Sequence, residues 1–253
     1  LGLPEGLFAD CSEKLLAAWR ARAIKMYPSD FRDTSEDARI IYRDLVLVRR
    51  IDAEGFALQR QGELGLWPSL FGQEAAQVGA GRALRDHDYA FPGYREHGVA
   101  WCRGVDPVSL FGMFRGVNHG GWDSNENNFH LYTIVIGNQM LHAVGYAMGI
   151  AADGDVGTGD PERDAAVMAF TGDGGTSQGD FNEALVFAAV TNAPVVFFVQ
   201  NNQWAISEPN DKQFIIPPYQ RARGFGFPGV LVDGNDPLAT YAVAKDALDK
   251  ARS

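Results

Sequence analysis

From Asp37 to Arg60 the apolar residues Ile40, Ile41, Leu45, Val48 and Ile51 recur on one helical face, which predicts a long helix packed on the body of the protein. Ahead of it, Leu1 to about Ser29 sets Leu15, Leu16, Trp19 and Ile24 among charges, the pattern of an amphipathic helix with no assigned chemistry. Gly62 to Ser69 reads as a loop, and Gly72 to Leu84, rich in Ala and Gly, as a helix packed closely against another backbone. Asp86 to Gly98 is polar and aromatic around Pro92 and Gly93, a candidate site loop. Gly116 to Asn128 reads as a second irregular stretch. The β-branched run Leu131 to Ile136 predicts a short buried strand, and Asn138 to Ala152 a helix. That helix carries Ala143, Gly145, Ala147 and Gly149, which suit a subunit contact or dense packing within the chain. Asp153 to Arg163 reads as a surface loop.

The second half carries a strand, turn, helix, strand unit. Ala165 to Phe170 is an apolar run of strand length, followed by TGDGGTSQGD, by the helical pattern FNEALVFAAVTN and by the strand PVVFFVQ, which ends at Asn201 and Asn202. Asp180 and Glu183 form a candidate capping pair for the helix, and Pro194 stands where a missing N–H is tolerated. In an open parallel sheet, ligands lie beyond the carboxyl ends of the strands, and Asp173 and Asn202 both fall just past such ends. Mg²⁺ takes oxygen ligands in near-octahedral geometry and is commonly held by one or two protein groups together with phosphates. The Asp173 carboxylate, the Asn202 side-chain oxygen and a backbone carbonyl would leave room for two diphosphate oxygens and a water. Gly172, Gly174 and Gly175 would let the backbone come close to the diphosphate. A GDG alone is weak evidence, because Gly and Asp make turns everywhere. Followed by a helix, a strand and NN, it matches the GDG…NN signature of thiamine-diphosphate enzymes. No G-x-G-x-x-G opens a helix after a strand, and no Gly-Lys-Ser or Gly-Lys-Thr occurs, so dinucleotide and P-loop binding are the lesser readings.

Composition narrows the classes further. The chain has 253 residues, 46% of them hydrophobic, enough for a sizeable core without disulfides or metal clips. A formal net charge of −10 with scattered basic residues excludes a nucleic-acid footprint. Cys11 and Cys102 lie far apart with no partner at metal-ligand spacing, which fits a reducing compartment, and the cytoplasm is the expected home. No apolar run is long enough to span a bilayer, and the first residues lack the signature of a secretory signal.

From about Ile40 onward the sequence resembles the alpha subunits of the pyruvate, branched-chain 2-oxo acid and acetoin dehydrogenase complexes. The matching stretches are YRDLVLVRRID, FGQEAAQVGAGRAL, FPGYREHGVAW, GDGGTSQGDFNEALVFAAV, FFVQNNQWAIS and GVLVDGNDPLATYAVAKDAL. The resemblance implies an α/β thiamine-diphosphate-binding fold, a central parallel sheet flanked by helices. Residues 1–36 would form an N-terminal helical extension and residues 37–253 the diphosphate-type domain, incomplete at its C-terminus. It implies that Tyr94 and Arg95 contact the diphosphate, Arg95 as a charge-assisted donor, and that Ile134 and Ile136 sit at the wedge that bends the cofactor. Asp173 and Asn202 match the metal side-chain ligands, Trp204 the residue giving a backbone carbonyl, and Gly174 and Gly175 the diphosphate-contacting backbone. Gln200 stands where branched-chain members often carry Arg, so one phosphate contact is expected to be absent.

The resemblance further implies thiamine diphosphate and Mg²⁺ as cofactors and a 2-oxo acid as substrate, decarboxylated oxidatively with transfer of the acyl group to lipoamide. It implies a beta subunit in an α₂β₂ assembly, activity that depends on it, and a lipoyl-bearing acyltransferase as the next partner. The family's catalytic histidine lies beyond Ser253, so no catalytic residue is assigned, and His87, His97, His119, His130 and His142 are expected in structural or surface roles. The competing expectation is a non-catalytic cofactor-binding subunit or fragment without the catalytic C-terminal loop. A lone transketolase-like synthase would need a pyrimidine-binding domain, for which no length remains. Leu66, Trp67, Pro68 and Leu70 either shape an acyl pocket or pack the core.

Overall fold

A computed structural model describes residues 34–253, with side chains from position 38 onward. The helix expected over Leu1 to Ser29 and Cys11 lie outside the described residues. Helix α1 spans Thr34–Arg60, α2 Glu74–Ala83, strand β1 Tyr89–Phe91, α3 His97–Cys102, α4 Pro107–Arg115, α5 Ser124–Asn127 and α6 Asn138–Asp153. Strand β2 (Val167–Gly172) leads through a 3₁₀ turn, Asp173–Ser177, into α7 (Gly179–Thr191) and β3 (Val195–Gln200). A two-stranded ribbon, β4 (Trp204–Ala205) and β5 (Glu208–Pro209), precedes α8 (Asn210–Gln213), α9 (Pro218–Arg221) and α10 (Pro237–Ala251).

The strands β1, β2 and β3 pair in that order and in parallel, with Phe91 opposite Ala169 and Ala169 opposite Phe197. Alternation along β2 sends its side chains into two cores. Met168 and Phe170 pack with Val99, Phe129, Ala244 and Leu248 on the face covered by α3 and α10. Val167 and Ala169 pack with Met140, Val144, Phe181 and Ala184 on the face covered by α6 and α7. A sheet buried on both faces is what a crossover-connected parallel sheet requires. The α/β architecture expected from the sequence is therefore present, and all three parallel strands end on one side.

Helix α2 lies close against α10, as its small residues predict. A Cβ on Gly79 would stand 2.6 Å from the Pro237 carbonyl oxygen, and one on Gly81 2.8 Å from the Cys102 Cβ. Cys102 is half-buried, and desolvation pushes its thiol up to about 12, which disfavours the reactive thiolate. Asp236 caps α10 by accepting from the Leu238 and Ala239 amides at 3.0 and 3.1 Å, with Pro237 in the first turn. Along α6 the small residues divide. Ala143 and Ala147 are buried against the sheet and α7, whereas a Cβ on Gly145 or Gly149 would meet nothing within 4 Å.

Three expectations are corrected. Leu131–Ile136 forms no strand: once past the bridge between Phe129 and Ala90 it has no ladder partner, and only Thr133 N–H reaches back, to Gly93 O at 3.0 Å. Ile134, Val135 and Ile136 are consequently exposed rather than buried. The segment from Asp86 to Gly98 is only partly a loop, because Tyr89–Phe91 is a buried strand and α3 starts at His97. Helix α7 has Gln178 as its N-cap without a side-chain cap bond, so Asp180 lies inside its first turn and acts through the helix dipole instead of through a capping pair with Glu183.

Beneath β1, Asp88 is fully buried and accepts from the Ala166 amide and Arg252 Nε, both at 3.0 Å, and from the Arg85 amide at 2.6 Å. Arg252 is itself buried, so this ion pair ties the end of α10 to the start of two strands. Removing Asp88 leaves the buried Arg252 with only the half-buried Asp249 at 2.8 Å and strips the Ala166 and Arg85 amides of their acceptor. Asp88→Ala is expected to lower unfolding free energy by roughly 3–5 kcal/mol in a urea titration, whereas Asp246→Ala, in the exposed Lys250 pair, is expected to change it by less than about 1 kcal/mol.

Candidate cofactor and metal site

Three loops leave the carboxyl ends of the parallel strands: Pro92–Glu96 after β1, the glycine turn after β2 and Asn201–Trp204 after β3. Between the first two lies Ile134–Gly137. The side chain of Asp173 is buried at the base of this crevice. Its carboxylate Oδ2 accepts from Gln213 Nε2 at 3.0 Å. Burial pushes the Asp173 carboxyl above the usual carboxylate range, opposed by Gln213 and by the backbone amides of Asp173, Gly174 and Asn202. The bond from the Asn202 amide shows that β2 and β3 bring these two residues together, as their positions past the strand ends predict.

Asn202 folds back on itself, its Oδ1 accepting from the Trp204 amide at 3.0 Å, and Asn201 does the same with the Gln203 amide at 2.9 Å. The turn is strained: Gln203 and Ile206 have φ of 72° and 57°, a region that β-branched Ile rarely occupies. Trp204, exposed, begins the ribbon that packs on the glycine turn. The glycines are needed by that packing. A Cβ on Gly174 would stand 2.8 Å from the Ala205 Cβ, and one on Gly175 would stand 2.1 Å from Thr171 Oγ1 and 3.4 Å from Ile136 Cγ2. Their absent side chains thus let β4 and the Ile136 loop close over the turn, a role not apparent from the sequence. Ile136 therefore borders the crevice beside Gly175, and Ile134 lies two residues away on the same exposed loop.

Tyr94 and Arg95 are half-buried on the β1 loop. The Arg95 guanidinium lies 5.6 Å from the Tyr94 ring centroid, and its Nη1 donates to the Ser69 carbonyl. The Ser69 segment is fixed from below by Asp52, which accepts from Trp67 Nε1 at 3.0 Å, Ser69 Oγ at 2.7 Å and the Leu70 amide at 3.0 Å. Trp67, Pro68 and Leu70 are buried, Trp67 against His97 with ring centroids 4.3 Å apart, so they pack the core, and only Leu66 stays exposed. Gln200 is turned inward, bonded to Glu96 and Gln77.

The residues present fit a cation and a diphosphate. Asp173 is a buried carboxylate with no ion pair among the described residues. Beside it Gln213 Oε1 is buried with no hydrogen-bond partner among the described residues, an acceptor without a donor. An oxygen-rich pocket of this kind suits a hard cation. Gln213 carries no signal in the sequence, since a glutamine forty residues from Asp173 has no local pattern to mark it.

Residues 42–253 match the model of the family described as "Dehydrogenase E1 component". The 3-methyl-2-oxobutanoate dehydrogenase subunit alpha of Mycobacterium tuberculosis is 46% identical over 88% of this chain and 59% of its own length. The 2-oxoisovalerate dehydrogenase subunit alpha of Bacillus subtilis is 38% identical over 87% of this chain and 68% of its own length. The pyruvate dehydrogenase E1 component subunit alpha of the same bacterium is 36% identical over 86% and 57%. The chain thus spans little more than half to two-thirds of these relatives. A transketolase from Leishmania mexicana shares the fold at a TM-score of 0.61 with 18% identity, over 84% of this chain and 34% of that one.

His119 and His142 are exposed, and His97 takes a structural place. His97 is buried, its Nε2 3.0 Å from the Pro68 carbonyl and its Nδ1 2.9 Å from the Tyr132 hydroxyl. The carbonyl requires a donor, so Nε2 carries the proton and Nδ1 accepts from Tyr132. Burial lowers its pKa to about 4, and the nearby Arg95 charge adds to the fall. Because the folded value lies below the unfolded one, this contribution is fully present above about pH 6.5 and is lost as pH falls towards 4. A denaturation series is expected to show a loss of about 3 kcal/mol from this group across that window, and His97→Gln is expected to flatten that region of the profile. An equally steep profile in the variant would refute the assignment.

Proposed function

Because the chain belongs to the dehydrogenase E1 component family, we propose that it binds thiamine diphosphate and Mg²⁺ in the crevice at the strand ends and serves as the alpha subunit of a 2-oxo acid decarboxylase. The activity proposed is oxidative decarboxylation of a 2-oxo acid with transfer of the acyl group to a lipoyl group. The observation that carries this reading is the buried Asp173 carboxylate, without an ion pair among the described residues, set beside Asn202 and an orphaned amide oxygen where the parallel strands end. Residues 37–253 would make up the diphosphate-binding domain, and the cytoplasm would be its compartment.

In this reading Asp173, the Asn202 side-chain oxygen and the Trp204 carbonyl hold Mg²⁺, and its charge offsets the repulsion between Asp173 and the diphosphate in a chain of net charge −10. The Gly174 and Gly175 backbone lines the diphosphate. Arg95, anchored on Ser69 through one nitrogen, has other N–H groups to donate to it, with the Tyr94 hydroxyl alongside. Ile134 and Ile136 would offer an exposed apolar edge to the cofactor rings. When bound, the cofactor supplies the electron sink that lets a 2-oxo acid lose CO₂. This chain's share is orientation, electrostatic stabilisation and exclusion of water.

In the same reading the chain works with a beta subunit in an α₂β₂ assembly, with a lipoyl-bearing acyltransferase as the acyl acceptor, a reading supported by the relatives being named alpha subunits. Exposed apolar surface supports such a partner. Trp204, Ile206 and Ile215, in the segment after β3, and Val186, Phe187 and Val190 of α7 are exposed, and a Cβ on Gly145 or Gly149 of α6 would meet nothing within 4 Å.

Calorimetric titration of the chain with thiamine diphosphate is expected to show binding that requires Mg²⁺ and that Asp173→Ala weakens at least about a hundredfold. Gln213→Leu, which removes the partner orienting the carboxylate, is expected to weaken the metal dependence about tenfold. Binding that ignores Mg²⁺, or that survives Asp173→Ala, would contradict the site. With a beta subunit added, 2-oxo acid decarboxylation measured with an artificial electron acceptor is the expected activity.

A further inference from the structure

Behind the crevice lies a polar layer that none of the roles above uses. Gln200, the last residue of β3, is 7% exposed, Glu96 on the β1 loop 3% and Gln77 on α2 fully buried. Gln200 Nε2 donates to Glu96 Oε1 at 2.7 Å, and Gln200 Oε1 accepts from Gln77 Nε2 at 3.0 Å. Gln77 Nε2 also donates to the Arg95 carbonyl at 3.1 Å, and its Oε1 accepts from the Gly98 amide at 2.9 Å. Glu96 Oε2 accepts from the Arg95 amide at 3.2 Å, and the Gly93 amide also bonds the carboxyl.

Burying three polar side chains here gives little stability over apolar packing, because each must first be desolvated. What such a layer does provide is a defined register between the elements it joins. Its two ends carry the information. Glu96 adjoins Tyr94 and Arg95, and Gln200 lies two residues before Asn202, so the bonds connect the loop proposed for the diphosphate with the turn proposed for the metal. The backbone of the β1 loop is gripped at Gly93 and Arg95, and that of α3 at Gly98, leaving the loop little freedom to shift relative to β3.

We propose that Glu96 and Gln200, braced by Gln77, are positioning residues that fix the Tyr94–Arg95 loop in register with the Asn202 turn, so that diphosphate and metal are met together. This rests on the cofactor reading of the crevice. The layer touches no reacting atom and acts only through the residues it holds.

The test pairs calorimetry with hydrogen exchange on the full chain. Glu96→Gln is nearly isosteric but gives up an acceptor for the backbone amides, and Gln200→Met removes the link at similar volume. Each is expected to weaken thiamine diphosphate binding at saturating Mg²⁺ about tenfold. The double variant is expected to lose about tenfold as well, not a hundredfold, because both changes break one connection. Leu248→Ala, a cavity in the core on α10, near the end of that helix that Arg252 ties to Asp88, serves as the stability control and is expected to leave the affinity unchanged. Without cofactor, Glu96→Gln is expected to speed amide exchange in residues 200–205 but not within β2. Unchanged affinity in both single variants, a fully multiplicative loss in the double variant, or an equal loss in Leu248→Ala would overturn the proposal. Should the parent chain bind no cofactor, the reading of the crevice falls, and exchange alone decides: unaltered protection of residues 200–205 in Glu96→Gln overturns the coupling, while faster exchange confined to both loops upholds it.

Discussion

A carboxylate buried without a countercharge is expensive, and Asp173 is held in that state at the end of the central strand. Much of the neighbouring structure serves to keep it there. Backbone amides of the turn and of Asn202 point at the carboxyl, Gln213 donates from α8, and the glycines leave room for Ala205 and Thr171 to close around the turn. These neutral donors lessen the cost without cancelling it, and the acid remains raised above its ordinary range. A divalent cation would supply the missing charge, which is why the site is read as a metal site although no cluster of three or more acidic, cysteine or histidine ligands is found among the described residues.

The fold provides the place and the polar layer behind it provides the alignment. With both faces of the sheet covered, the strands are fixed by packing, and their ends form a rigid rim from which short loops project. Loops on such a rim still need registering against one another, and side-chain amides do this between β3, the β1 loop and α2. Asp52 has a similar role farther from the crevice, drawing Trp67, Ser69 and Leu70 onto α1, so that the carbonyl gripping Arg95 is itself held.

Local patterns made the frame legible. Helical spacing marked α1 and α6, the apolar runs flanking the glycine turn marked β2 and β3, and the position of Asp173 and Asn202 past strand ends placed them at one crevice. What was illegible was set by tertiary partners. Leu131–Ile136 has the composition of a strand but no neighbour to pair with, so its isoleucines face outward. The three residues of β1 were hidden in a polar stretch, and Asp180 was displaced from the cap by a helix that starts two residues earlier, with Gln178 as its cap. Gln77, Glu96, Gln200 and Gln213 meet their partners across as many as 123 positions, and although Gln200 stood out as an expected missing phosphate contact, nothing in the sequence context of these four marked the bonds they make.

The most direct measurement is a crystal structure of the chain soaked with thiamine diphosphate and Mn²⁺, with anomalous scattering used to find the metal. The account predicts a single strong peak within coordination distance of the Asp173 carboxylate and the Asn202 side-chain oxygen, with diphosphate density against Gly174, Gly175 and Arg95. A metal peak elsewhere, or diphosphate density away from the ends of the parallel strands, would contradict it.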